Sequence, residues 1–297
     1  SLPSKDKNAN TMAEPKNLLP AGTTLEGGRY RIEAHLASGG FGNTYRAIDT
    51  KFDTPVAIKE FFMKGVNQRD DTWSVSVSNS DNLAMFDKQR QKFIEEAKKM
   101  HKLQHAHIVR VTDCFDENGT SYYVMDFVEG ESLHARMKHL GKPMTERQVM
   151  EWLPQLLDAL EYVHGHDVLH LDIKPANIMV DNEDLIHLID FGASRQMDSS
   201  DPLTLTHTAM PYTKGFAPME QMQGDKKSIC AATDLYALGA TIYNLLTAQQ
   251  PPEVVDIGKD VDAAFHFPSS VSEEMRRFII ALMKPFPNQR PQSVEEA

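Results

Sequence analysis

In His170-Leu171-Asp172-Ile173-Lys174-Pro175-Ala176-Asn177, followed by Asp190-Phe191-Gly192, a short stretch of chain gathers two acids, a lysine and an amide. That set suits phosphoryl transfer from Mg-ATP. Asp172 can accept or orient the proton of an attacking hydroxyl, Asn177 and Asp190 can hold magnesium, and Lys174 can neutralise charge on the moving phosphoryl group. Four polar residues this close together also describe an ordinary solvated loop. What separates the two readings is whether the other parts of such a site occur elsewhere in the chain, in order.

Upstream, Leu36, Ala37, Ser38, Gly39, Gly40, Phe41, Gly42, Asn43 and Thr44 lie between two strand-like runs. Glycines there let backbone N–H groups approach phosphate oxygens without a Cβ in the way. Glycine turns are common in hairpins, so this signal is weak alone. Lys59 ends the apolar run Val56-Ala57-Ile58, 17 residues after Gly42; a lysine so placed is often a strand-end charge that snorkels. Downstream stand Ala217-Pro218-Met219-Glu220 and Pro287-Asn288-Gln289-Arg290-Pro291.

Taken together, these motifs resemble the protein kinase catalytic domain, of the Ser/Thr type and with a bacterial, eukaryotic-like cast, from about Tyr30 to the end of the chain. The resemblance implies an α+β fold of two lobes, a small β-rich N-lobe with one main helix and a larger, mostly α-helical C-lobe. It implies ATP and Mg2+ as cofactors. Asp172 would be the catalytic base or hydroxyl-orienting residue, and Asn177 and Asp190 the magnesium ligands. Lys174 follows the Ser/Thr-specific pattern. Lys59 would contact the α- and β-phosphates and pair with an acid on the next helix. Glu95 and Glu96 compete for that role, and counting back from Gln104-His105-Ala106-His107-Ile108-Val109 selects Glu96.

By the same resemblance, the nucleotide is cradled by residues 36–44, by Ala57, and by Met125, Asp126, Phe127 and Val128 in a hinge segment, with Met179 as an apolar floor. His170 and Phe191 would stack with Met100 in a structural column. Asp234 would brace the catalytic loop, Thr213 would bridge Asp172 and Lys174, and Glu220 would pair with Arg290. Three positions depart from the family pattern: Ala37 for a glycine, Thr44 for a valine, and Leu171 for the arginine that grips a phosphorylated activation segment. The last leaves Thr204, Thr206 and Thr208 as ordinary loop residues or autophosphorylation sites. Protein substrates with Ser/Thr acceptors follow. A pseudokinase or nucleotide-binding scaffold is the alternative, and a small-molecule phosphotransferase a third reading.

Composition sets the outer bounds. A chain of 297 residues can bury one large core or two modest ones. The net charge of −11, with no Lys/Arg-rich run to offset it, argues against nucleic-acid partners. Cys114 and Cys230 lack metal-ligand spacing and read as free buried thiols in a reducing compartment. No apolar run approaches the ~18 residues of a membrane span, so this segment is expected to be cytoplasmic and to make no membrane contact. The pattern breaks off near Ala297 inside a helix-like run, which suggests a domain cut from a longer protein and leaves room for a membrane anchor beyond residue 297.

The elements that must position these groups are also legible. Residues 1–28 read as a disordered leader and 29–297 as the domain, with the N-lobe over 29–127 and the C-lobe over 128–297. Short strands are expected around the glycine cluster, at Pro55–Lys59, at Ile108–Val111 and at Tyr122–Met125. Helical periodicity spans Lys88–Leu103, and a capping-like Thr145 opens a stripe from Val149 to Val163 that tolerates Pro154 as a kink or boundary. Leu235–Leu246 is apolar nearly all round, as in a buried helix. The 36 residues separating Lys59 from Glu96 include an alternating run, Thr72–Ser78, read as an extra edge strand or hairpin in preference to a docking insertion.

Overall fold

The computed structural model describes residues 17–40, 42–77, 79–191, 195–196 and 212–297. Phe41, Gly192, Thr204, Thr206 and Thr208 therefore lie outside the described residues. The chain forms two compact units. One comprises the residues up to Ala97 together with Val111–Phe127; the other comprises Lys98–Arg110 and Val128–Ala297.

The smaller unit is built on a six-stranded antiparallel sheet. Its strands are β1 (Thr24–Leu25), β2 (Tyr30–Gly39), β3 (Gly42–Asp49) and β4 (Thr54–Phe61), with β7 (Val111–Glu117) and β8 (Thr120–Asp126), in the order β1-β2-β3-β4-β8-β7. Tyr30, Ile32, Tyr45, Ala47, Ile58 and Val124 fill its buried face, the period-two alternation that a half-buried sheet imposes. The stretch following Lys59 contains a separate hairpin, β5 (Asn67–Arg69) with β6 (Val75–Val77). This is the hairpin expected there, though its second strand is shorter than the alternating run. Helix α1 (Leu83–His101) follows it.

Two boundaries differ from expectation. Residues 17–28, read as part of a leader, are folded: Leu19 and Leu25 are buried with Tyr30 and Tyr45, and Leu25 pairs with Tyr30. Ile108–Arg110, expected within an N-lobe strand, belong to the larger unit. There Ile108 forms a parallel bridge to Leu188, and Val109 N–H donates to the Leu188 carbonyl at 3.0 Å. The Ile-Val pair does form a β contact, but with a partner remote in sequence, and that partner decides which unit holds it.

The larger unit is mostly helical: α2 (Leu133–Leu140), α3 (Glu146–Gly165), α4 (Met219–Met222), α5 (Ala231–Thr247), α6 (Val254–Lys259), α7 (Val261–Ala264) and α8 (Glu273–Leu282). Thr145 caps α3 in a reciprocal capping box with Gln148, and the helix continues through Pro154. Helix α5 is buried along almost its whole length. Short strands β9 (Gly130–Ser132), β10 (Val168–Leu169), β11 (Ile178–Asp181), β12 (Ile186–Leu188) and β13 (Arg195–Gln196) frame the loop that carries Asp172. The two cysteines are free but half-buried, not fully buried as expected.

Candidate active site

The loop from His170 to Asn177 is shaped by a residue far from it in sequence. Asp234, in the first turn of α5, is completely buried. Its carboxylate accepts the N–H groups of His170 (2.9 Å) and Leu171 (2.8 Å) and the Nε2 of His164 (2.8 Å). Burial alone would push such a carboxyl up; the His164 contact, the charge around it and the Leu171 N–H outweigh that and hold it below its ordinary value. Leu171 adopts a left-handed φ of 63°, a strained state for a branched side chain. The strain is held from three sides. Asp234 takes its N–H, Gln221 Nε2 donates to its carbonyl at 2.7 Å, and its side chain packs with Leu169 and Ile229. An apolar cluster thus surrounds the Leu171 side chain.

Past that turn, Asp172 is fixed on both oxygens. Thr213 Oγ1 donates to Oδ1 at 2.9 Å; Asn177 Nδ2 and Lys174 Nζ each approach Oδ2 at 2.9 Å. Lys174 also donates to Thr213 Oγ1 at 2.9 Å, closing a triangle of acid, hydroxyl and ammonium. Asn177 directs its amide hydrogens to the Asp172 side chain and to the Asp172 carbonyl at 2.8 Å. That leaves Oδ1 as the amide atom able to face a cation. Asp172 and Lys174 retain about a quarter of their side-chain exposure, 23% and 25%, so an incoming hydroxyl can reach them.

Asp190 is placed through its neighbours. Ile189 N–H donates to the Asn177 carbonyl at 3.0 Å, and the Ile189 carbonyl accepts from His170 Nε2 at 3.0 Å. Phe191, fully buried, packs against the His170 ring at 4.4 Å. With its Nδ1 accepting from Asp172 N–H at 3.2 Å and its Nε2 on the Ile189 carbonyl, the His170 ring clamps two segments. It is structural, as the sequence suggested; Met100 is buried as well. Asp190 itself has a φ of 58°. Asn177 Oδ1 and the Asp190 carboxylate are hard oxygen donors of the kind magnesium takes while keeping phosphate or water in its remaining positions. The donor set fits that ion.

A second anchor holds the segment that carries Thr213. Arg290 places all five of its N–H groups: two on Glu220 at 2.7 and 3.2 Å, and one each on the carbonyls of Ala232, Lys284 and Pro285. Thr233 adds a donor to Glu220 at 3.0 Å. Both charged side chains are nearly inaccessible, and full satisfaction of this kind is what makes a buried ion pair tolerable. Gln221, next to Glu220, marks the bacterial cast of the motif in the sequence, but no role in holding the loop is assigned to it there. Its signal was only its position beside the acid.

In the smaller unit, Lys59 on β4 pairs across the sheet with Thr44 and with Tyr123. Its ammonium lies 5.7 Å from the Tyr123 ring centroid, and the same Tyr123 hydroxyl donates to Glu96 Oε1 at 3.3 Å. Glu96 is buried on α1; Glu95 is exposed and accepts from Gln91 at 3.3 Å. β2 and β3 pair out to Gly39 and Gly42. A Cβ at Gly42 would sit 2.5 Å from the Glu60 carbonyl oxygen, so that glycine is required by the backbone of β4. Leu36 is exposed, Ala37 pairs with Thr44, and Gly40 has open space around it. Ala57 pairs with Met125 and Val56 with Asp126, while Phe127 lies under the Arg46 guanidinium at 5.0 Å. In the larger unit, Met179 sits half-buried on β11, paired with Ser132 and His187.

Residues 30–297 match the family model described as the protein kinase domain. A probable serine/threonine-protein kinase of Streptomyces coelicolor is 30% identical over 96% of this chain and 40% of its own length. Serine/threonine-protein kinase F of Synechocystis is 31% identical over 91% of this chain and 54% of its own. The chain thus spans about half or less of the length of these curated relatives. Among solved structures, the apo form of PpkA-294 superposes with a TM-score of 0.82 at 28% identity, covering 94% of this chain and 98% of that one. With the loop geometry and these likenesses in agreement, the chain belongs to the protein kinase domain family, among kinases of the serine/threonine type.

Proposed function

We propose that this domain transfers the γ-phosphate of Mg-ATP to Ser and Thr hydroxyls of protein substrates. One observation carries the reading: the Asp172 carboxylate is held at once by Thr213, Asn177 and Lys174. A carboxylate oriented this way can accept and direct the proton of an incoming hydroxyl. Lys174, on the same oxygen, supports charge that develops on the transferred group. Asn177 and Asp190 would hold magnesium, which when bound neutralises phosphate charge. Lys59, braced near Glu96 through Tyr123, would bind the α- and β-phosphates. Residues 36–44, Ala57, Met125, Asp126, Phe127, Val128 and Met179 would line the nucleotide. Autophosphorylation on Ser or Thr belongs to the same proposal.

The test is transfer of labelled γ-phosphate from Mg-ATP to the protein itself and to generic basic substrates, with Asp172→Ala alongside. Turnover is expected to fall by about 10²–10⁴ in the variant, with the Mg-ADP shift in melting temperature retained. A wild-type protein that binds Mg-ATP but transfers nothing would instead be a nucleotide-binding scaffold.

A further inference from the structure

On strand β4, Lys59 is followed by Glu60, whose side chain is 0% exposed. A carboxylate in a sheet core is tolerated only where charge and hydrogen bonds meet it. Four donors do so here. Arg69 NH2 (2.6 Å) and the Tyr122 hydroxyl (2.8 Å) reach Oε1; the Tyr45 hydroxyl (3.0 Å) and Asn43 Nδ2 (3.1 Å) reach Oε2. Burial opposes the charge on Arg69, and the Glu60 carboxylate overcomes that and holds the guanidinium above its usual range. Burial and the same carboxylate push both tyrosines up.

Arg69 belongs to β5 of the inserted hairpin, and its side chain is also 0% exposed. Its NH1 donates to the Trp73 carbonyl at 2.8 Å, in a turn where Trp73 has a φ of 69°. At the other end of the network Asn43 closes the glycine turn. Its Oδ1 accepts from Ser38 Oγ at 2.7 Å, in register across β2 and β3, and Ser38 is in turn 2.8 Å from His35. Asn43 Nδ2 also reaches the Asn17 carbonyl at 3.2 Å. A continuous chain of contacts, buried from Arg69 through Glu60 to Asn43 and reaching the surface at Ser38, therefore runs from the insertion to both strands of the turn.

We propose that Arg69 and Glu60 are positioning residues for nucleotide: their buried pair orients Asn43, Asn43 holds Ser38, and the inserted hairpin thereby sets the phosphate-binding turn. The proposal rests on the kinase reading of that turn. It differs from a purely structural pair in its consequence, which falls on ATP and not on the protein substrate.

The experiment compares kcat and the KM values for Mg-ATP and for a protein substrate in Asn43→Ala, Arg69→Met, Arg69→Met with Glu60→Gln, and that double variant combined with Asn43→Ala. Each of the first three is expected to raise the ATP KM about fivefold, the equivalent of one hydrogen bond, with the protein-substrate KM unchanged. The combined variant is expected to add no further rise, because Arg69 acts through Asn43. The Glu60→Gln change removes the unpaired charge that could unfold Arg69→Met. An unchanged ATP KM in Asn43→Ala or in the double variant overturns the proposal, as do additive effects. Failure of every Arg69 variant to fold shows a structural pair only and overturns it too. Equal affinity of the wild type for adenosine and Mg-ADP would defeat the phosphate role of the turn itself, whatever Arg69 does.

Discussion

Three partners hold the Asp172 carboxylate, and Thr213 is the one whose role in the proposed transfer is separable. Its hydroxyl both donates to Asp172 and accepts from Lys174. Thr213→Val keeps the shape and removes that bridge. The expected result is a kcat lower by roughly tenfold, the worth of one or two hydrogen bonds, with the ATP KM unchanged and Thr213→Ser close to wild type. Steady-state kinetics on the three proteins checks it. The choice of Glu96 over Glu95 is likewise a residue-scale matter. Counting along the chain selects one of two adjacent acids, and only the helix face shows that Glu96 is buried against Tyr123 while its neighbour is exposed.

Among the elements, α4 and the segment before it depend on the Glu220–Arg290 anchor. Arg290→Met leaves Glu220 buried with Thr233 as its remaining donor, and removing one side of such a pair costs about 3–5 kcal/mol. Denaturant unfolding should show that loss, with partial recovery when Glu220→Gln is added. Strands and helices with a clear period were legible in the sequence, α5 and the capped start of α3 included, because periodicity is a local property. Ile108–Arg110 and the folded place of Leu19 were not. Both are settled by partners more than twenty residues away, Leu188 in one case and the Tyr45 hydroxyl in the other.

For the molecule as a whole, two predictions concern conditions and control. Asp234 has an ordinary value of 3.8 and a lower one when folded. Its stabilising effect is therefore complete above about pH 4 and is lost as the pH falls through the folded value. Melting temperature followed from pH 6 downward should drop steeply in the wild type below that point. Asp234→Asn should start lower and drop less. The second prediction follows from Leu171, which is held by Asp234, Gln221 and an apolar cluster and offers no charge to a phosphate. Phosphatase-treated protein should keep its basal transfer rate; inert protein that regains turnover with phosphate on Thr204, Thr206 or Thr208 would contradict this. The sequence alone determined the family, because Asp172, Lys174 and Asn177 fall in one short loop and the accompanying motifs occur around it in order. Asp234 and Thr213, expected from the resemblance to brace that loop, do so from 63 and 41 residues away, while the hold of Gln221 on the Leu171 carbonyl, from 50 residues away, was decided by tertiary structure alone. Tertiary structure also placed Arg69 against Glu60, since burial and long-range pairing exist only once the chain has closed on itself.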